Sequence, residues 1–237
     1  MNNKNINDSQ IGQTADGFGL NFLVRNASSP KKKALILLHG VGSNENDLFS
    51  LADKLPEDFY IISPRGQFTL GAGRYAWYQV DFSTGKPVFD AEQEMSSRKI
   101  ILQFVTEIKE AYQLEQVYLG GFSQGAIMSY TIGLTHPTDI TGVISLSGRV
   151  LEEIQPLTTT TSDALKGLKV YIAHGIQDGT LPVQYARTAK ALMEKLGVQL
   201  KYREHNMGHQ ITQAVIDDIN EWLAADTSEN SEPGSNV

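Results

Sequence analysis

The stretch Val117-Tyr118-Leu119-Gly120-Gly121-Phe122-Ser123-Gln124-Gly125-Ala126 decides the fold. Val117–Leu119 is a short apolar run that reads as a buried strand. Ala126 to Leu134 reads as a helix, ended at His136-Pro137. Between them lies Gly121-Phe122-Ser123-Gln124-Gly125. Alone, Gly-x-Ser-x-Gly is also an ordinary glycine-rich turn with a capping serine. With a strand before it and a helix after it, it reads as a nucleophile elbow. Small residues two before and two after the serine let strand and helix approach closely. The turn lifts the serine Oγ above the sheet edge, over a helix N-terminus that favours negative charge.

Outward from the elbow, strand and helix patterns alternate. Ala34–Leu38, Tyr60–Ile62, Gly142–Leu146 and Val170–Ala173 read as further buried strands, with Leu200–Tyr202 a fainter one and Leu20–Val24 an edge strand. Ile101, Phe104, Val105, Ile108 and Tyr112 recur at helical spacing behind an Asp90–Gln93 capping box. Tyr185–Leu196 reads as a helix closed by Gly197, and Ile211, Val215, Ile219 and Leu223 mark another. A helix is also expected near Leu48–Leu55. This alternation predicts an α/β fold: a mostly parallel central sheet with helices on both faces. Its chemistry belongs at the carboxyl ends of the strands.

A serine hydroxyl needs a base, and the base needs an orienting acid. His209, in Met207-Gly208-His209, lies between the last strand and the last helix, where a histidine of this fold is expected. His205, at the end of the strand, is the alternative base. His39 and His174 each end a strand before a glycine and read as turn-shaping residues, and His136 as a helix stop. Asp178, in His174-Gly175-Ile176-Gln177-Asp178, follows a strand between serine and histidine and is the expected acid. Asp163 and Glu152 are alternatives in a long loop. The oxyanion is expected to meet two backbone N–H groups, of Gln124 after the serine and of Val41 in His39-Gly40-Val41-Gly42-Ser43. Trp77 and Tyr78, with Phe68 and Leu70, lie in a long loop and are expected to wall a substrate pocket or to pack at the surface.

Composition narrows the reading. The 237 residues contain no cysteine, which removes disulfide scaffolds, thiolate metal sites and a cysteine nucleophile. Twenty Lys+Arg against 27 Asp+Glu give a net charge of −7, which disfavours nucleic acid as a partner. Lys31-Lys32-Lys33 reads as a solvated strand start. Neither an apolar signal segment nor a run long enough to span a bilayer is visible, so a cytoplasmic protein without stable membrane association is expected. Polar ends at 1–18 and 226–237 are expected to be flexible around a single domain at 19–225. A homodimer through an apolar patch near the pocket loops is compatible with the sequence.

The chain resembles the phospholipase/carboxylesterase family of α/β-hydrolases, which includes acyl-protein thioesterases and small bacterial carboxylesterases. The resemblance runs from about Leu35 to Leu223. It rests on Leu38-His39-Gly40-Val41-Gly42-Ser43-Asn44-Glu45-Asn46-Asp47-Leu48, Pro64-Arg65-Gly66 and Arg74-Tyr75-Ala76-Trp77-Tyr78. Gly120 to Ala126, Leu146-Ser147-Gly148, His174 to Asp178 and Met207-Gly208-His209 complete it. The Asn44–Leu48 and Pro64–Gly66 pieces look more like the bacterial esterases. Gly179-Thr180-Leu181-Pro182 departs from the family's usual, longer or more apolar approach to its proline. The resemblance implies a Ser123–Asp178–His209 triad, oxyanion donors at Val41 and Gln124, a small-molecule ester substrate and no cofactor. Thioester or lysophospholipid hydrolysis, or ligand binding without catalysis, are the alternative functions.

Overall fold

Each expected buried run is a strand of one sheet. The computed structural model describes residues 18–28, 32–81, 83, 88–157 and 162–229. In chain order it has β1 (Phe22–Arg25), β2 (Lys33–Leu38), α1 (Glu45–Phe49), β3 (Tyr60–Pro64) and four short strands, β4 (Phe68–Gly71), β5 (Arg74–Ala76), β6 (Val80–Asp81) and β7 (Val88–Phe89). Then come α2 (Ala91–Ala111), β8 (Gln116–Phe122), α3 (Gln124–Thr135), β9 (Gly142–Leu146), α4 (Ser162–Lys166), β10 (Lys169–Gly175), α5 (Gln184–Leu196), β11 (Gln199–His205) and α6 (Gln213–Glu229). Of the ends expected to be flexible, 1–18 and 226–237, residues 1–17 and 230–237 lie outside the described residues; Phe18 packs edge-on against Phe22, and α6 continues to Glu229.

The main sheet has the order β1-β3-β2-β8-β9-β10-β11. Only β1 is antiparallel to its neighbour. From β2 the chain moves one way to β3, then crosses through α2 to β8 on the other side of β2. This reversal puts the sheet's switch point at the carboxyl ends of β2 and β8, the place where ligands of open α/β sheets bind. The register sets Leu38 beside Gly121, so the loop after β2 and the elbow after β8 leave the sheet side by side.

Strand residues alternate between two cores, as a period of two requires. Ala34, Ile36, Leu119, Val143 and Ile172 pack with Phe104, Met128 and Met193, from α2, α3 and α5. Leu35, Leu37, Tyr118, Ile144 and Tyr171 pack with Leu48, Val215 and Leu223, from α1 and α6. Helix α3 is buried all round from Gln124 to Leu134, which its lack of a polar stripe demands.

Local signals act largely as expected. Asp90 Oδ1 accepts the N–H groups of Glu92 and Gln93 at 3.1 and 3.0 Å. The box is not reciprocal, however. Gln93 Oε1 accepts the Gln79 N–H at 2.8 Å, tying α2 to the preceding segment. Gly197 closes α5 in the left-handed conformation, φ 73°.

Three expectations change. The helix near Leu48–Leu55 stops at Phe49 and resumes as a 3₁₀ turn at Ala52–Lys54. Ser50 Oγ donates to the Asp47 carbonyl at 2.5 Å, an alternative partner for that backbone. Among the described residues of 67–89, β4 pairs with β5, and β6 with β7, as antiparallel ribbons. The segment after β9 carries a 3₁₀ turn, Glu152–Leu157, and α4.

Candidate active site

Ser123 sits between β8 and α3 with φ 54° and ψ −114°, a backbone conformation costly for any residue with a Cβ. It is held there by its N–H, which donates to the Leu146 carbonyl on β9 at 2.9 Å. The two flanking glycines are sterically required. A Cβ on Gly121 would lie 2.3 Å from the Gly125 carbonyl carbon, and one on Gly125 would lie 1.8 Å from the Leu38 carbonyl oxygen. The elbow therefore brings the start of α3 against the end of β2.

Asp178 and His209 are delivered by the loops after β10 and β11. These strands pair in parallel through Gly175 and His205, and the bonds Ile176 N–H to His205 O and Gln177 N–H to Met207 O bind the two loops together. His209 Nδ1 lies 2.7 Å from Asp178 Oδ2, and Nδ1–H is the donor because the ionised carboxylate can only accept. Asp178 Oδ1 accepts the N–H groups of Thr180 and Leu181 at 2.9 and 2.8 Å. Burial pushes the Asp178 carboxyl up, but the bonds from His209, Leu181 and Thr180 outweigh it and leave the group below its ordinary value. The His209 ring packs against Phe122, the residue before Ser123, with centroids 4.7 Å apart and planes tilted by 43°. No Ser123 Oγ–His209 hydrogen bond forms among the described residues; contacts of this kind tighten when substrate binds.

The alternatives face elsewhere. His205 Nε2 lies 3.4 Å from Asp218 Oδ2 on α6. Asp163 is exposed on α4 beside Lys166, and Glu152 is exposed.

The loop after β2 runs beside the elbow. A Cβ on Gly40 would lie 3.5 Å from Ser123 Cβ. The Val41 N–H has no hydrogen bond among the described residues, and the Gln124 N–H occupies the first position of α3, where no intrahelical carbonyl can receive it. The loop is held from below. His39 is fully buried, and its Nε2 accepts the Gly66 N–H at 2.9 Å. Burial holds this imidazole below its ordinary range. Glu45 pairs with Arg65 in two parallel bonds: Nε donates to Oε2 at 2.7 Å and Nη2 to Oε1. The Arg65 bond holds the Glu45 carboxyl down against the opposing effect of burial. The Asn44–Leu48 and Pro64–Gly66 motifs are thus two halves of one brace.

Two site features were not legible in advance. The Gln124 side chain is buried: Oε1 accepts the Trp77 N–H at 2.9 Å and Nε2 donates to the Tyr78 carbonyl at 2.7 Å. A long amide in the first turn of a wholly buried helix was its only signal. Trp77 and Tyr78 are themselves core residues, 0% and 2% exposed, so they do not wall an open pocket. Trp77 Nε1–H donates to the His39 carbonyl at 3.0 Å, so the ring supports the loop rather than a ligand. Phe68, on β4, is half-buried. A cavity of about 430 Å³ lies instead between the segment after β9 and α5, lined by Arg149, Val150, Pro182, Tyr185 and Leu192 among others. Among the described residues there is no cluster of acidic and histidine side chains suited to a metal ion, and no helix long and apolar enough to cross a membrane.

The family described as Phospholipase/Carboxylesterase matches residues 20–226. The chain belongs to this family. The enzyme is 29% identical over 184 residues to an acyl-protein thioesterase 1 of Kluyveromyces lactis, covering 73% of this chain and 81% of that protein. Its fold matches a carboxylesterase from Mesorhizobium loti at a TM-score of 0.77 and 20% identity, over 91% of this chain and 99% of that one. The Bacillus cereus carboxylesterase matches at 0.75 and 24%, over 87% and 94%. These likenesses establish an α/β-hydrolase fold and an enzyme of the esterase class.

Proposed function

We propose that the enzyme hydrolyses carboxylic esters through an acyl-enzyme on Ser123, with His209 as the base and Asp178 as its orienting acid. The observation that carries this is the 2.7 Å His209–Asp178 contact, with the imidazole packed at a tilt against the residue before a strained serine. His209 Nε2 accepts the Ser123 proton as Oγ attacks the acyl carbonyl. Asp178 holds the ring in the tautomer with its proton on Nδ1 and stabilises the imidazolium that forms. The carbonyl oxygen gains negative charge, which the N–H groups of Val41 and Gln124 receive, with the α3 dipole behind them. The imidazolium then protonates the leaving alcohol. Water, deprotonated by His209, attacks the acyl-enzyme and frees the acid.

The Kluyveromyces relative's name supports a second substrate class, acyl thioesters. The same steps apply, with a thiol leaving. A panel of p-nitrophenyl esters of rising chain length, run beside an acyl thioester, separates the two. The ester reading predicts higher kcat/KM on an ester; a thioester preferred by tenfold or more overturns it. Ser123→Ala should lower kcat by about 10⁴-fold or more on either substrate. Activity surviving near wild type would sink the mechanism. A folded wild-type protein whose Ser123 is not labelled by a fluorophosphonate would point to ligand binding without catalysis.

A further inference from the structure

His174, next to last in β10, is fully buried four residues before Asp178, and turning the chain does not use its ring. Its Nε2 lies 2.7 Å from the Leu181 carbonyl oxygen and 3.3 Å from Asp178 Oδ2. A carbonyl only accepts, so Nε2 carries the proton and donates it to Leu181. The Leu181 N–H in turn donates to Asp178 Oδ1 at 2.8 Å. One residue is therefore held at both ends, its N–H by the carboxylate and its carbonyl by the imidazole. The residue after it, Pro182, has no N–H to bind the turn in any other way. The buried His174 Nδ1 has no hydrogen-bond partner among the described residues, so the ring's contribution is made at Nε2.

We infer that His174 is a positioning residue for the acid: it closes the Asp178–Leu181 turn so that Oδ1 is occupied by backbone and Oδ2 is left aimed at His209. The charged groups around it are consistent with this task. Glu204 is its register neighbour on β11 and is neutralised by Arg187 of α5 at 2.8 Å, with the Tyr202 hydroxyl at 2.7 Å. Arg187 and Tyr202 hold the Glu204 carboxyl down at about 2. Asp178 is then the anion that the Nε2 side of the ring faces, and its Oδ2 lies 3.3 Å from His174 Nε2 and 2.7 Å from His209 Nδ1. The inference rests on reading Asp178 as the acid of the triad.

The test compares His174→Asn with His174→Gln. The Gln amide nitrogen reaches the place of Nε2; the Asn nitrogen does not. His174→Asn should lower kcat about tenfold or more with KM within twofold, and His174→Gln should stay within about threefold of wild type. In an Asp178→Asn background, His174→Asn should cost less than a further twofold, because the group it positions is already gone. Equal kcat for the Asn and Gln proteins, or an undiminished loss in the Asp178→Asn background, overturns the inference. If the Asn protein does not fold, the Gln protein decides: near-wild-type kcat supports the inference and a tenfold loss overturns it. Failure of both to fold makes the ring a structural group and overturns it too. The two readings separate cleanly. Activity in Ser123→Ala sinks the proposed function, whereas an inactive Ser123→Ala beside a fully active His174→Asn sinks only the role of His174.

Discussion

Gln124 and Trp77 are joined through a buried side-chain amide, which accepts the Trp77 N–H at 2.9 Å and donates to the next residue's carbonyl at 2.7 Å. The residue whose backbone stands beside Ser123 thus also fastens the 74–78 segment to the elbow. Gln124→Leu leaves that buried N–H and carbonyl unpaired, at about 2–4 kcal/mol. Thermal unfolding should occur about 5–15 °C lower. The backbone N–H survives the change, so fluorophosphonate labelling of Ser123 should persist below the transition.

Ser123 is held at φ 54°. Ser123→Gly removes the Cβ that makes this costly, but adds chain entropy to the unfolded state. Relief of strain is the larger effect, so stability should rise by about 1 kcal/mol, or about 2–4 °C in Tm. Activity should fall by about 10⁴-fold. A variant less stable than wild type would show that the added chain entropy outweighs the strain relieved at the elbow.

Two glycines near the site should respond oppositely to alanine. Gly125→Ala sets a Cβ 1.8 Å from a backbone oxygen of β2, which cannot move without unpairing the central sheet. A loss above about 4 kcal/mol and mostly insoluble protein are expected. Gly179→Ala meets nothing within 4 Å and should shift stability by less than about 0.5 kcal/mol. Denaturant melts of both variants check the contrast.

Acid should weaken the brace under the β2 loop in two stages. His39 is held below its ordinary value by burial, so its contribution is fully present above about pH 6.5. It is lost as pH falls through the lower folded value, because the unfolded chain takes up the proton first. Glu45 is held down by Arg65, so its contribution is present above about pH 4.3 and is lost below that. Glu45→Gln should be less stable than wild type at pH 7, with the gap narrowing toward pH 3. A gap independent of pH would argue that the pair contributes packing alone.

The sheet, the elbow and the pairing of Asp178 with His209 were legible because each follows a rule of local pattern. Ala34–Leu38 and Val170–Ala173 are continuous apolar runs, as strands covered on both faces must be. Asp178 and His209 are marked by their place after strands. The hairpins β4–β7 escaped notice, since strands of two to four residues carry almost no periodicity. Trp77 and Tyr78 were misplaced because composition cannot distinguish an aromatic that lines a cavity from one that fills the core. Gln124 and Arg65 bind residues brought near by the sheet order, 47 and 20 positions away in the chain. Such pairings have no signature in any short window.

The bond between Arg65 and Glu45 also bears on how this scaffold can be re-engineered. The 39–48 and 64–66 loops stand on different strands, yet neither is complete alone. A chimaera that imports the first without the second would strand a buried carboxylate without its guanidinium and an imidazole without its amide donor. The smallest transplantable unit is therefore the pair of loops together with the two neighbouring strands that carry them.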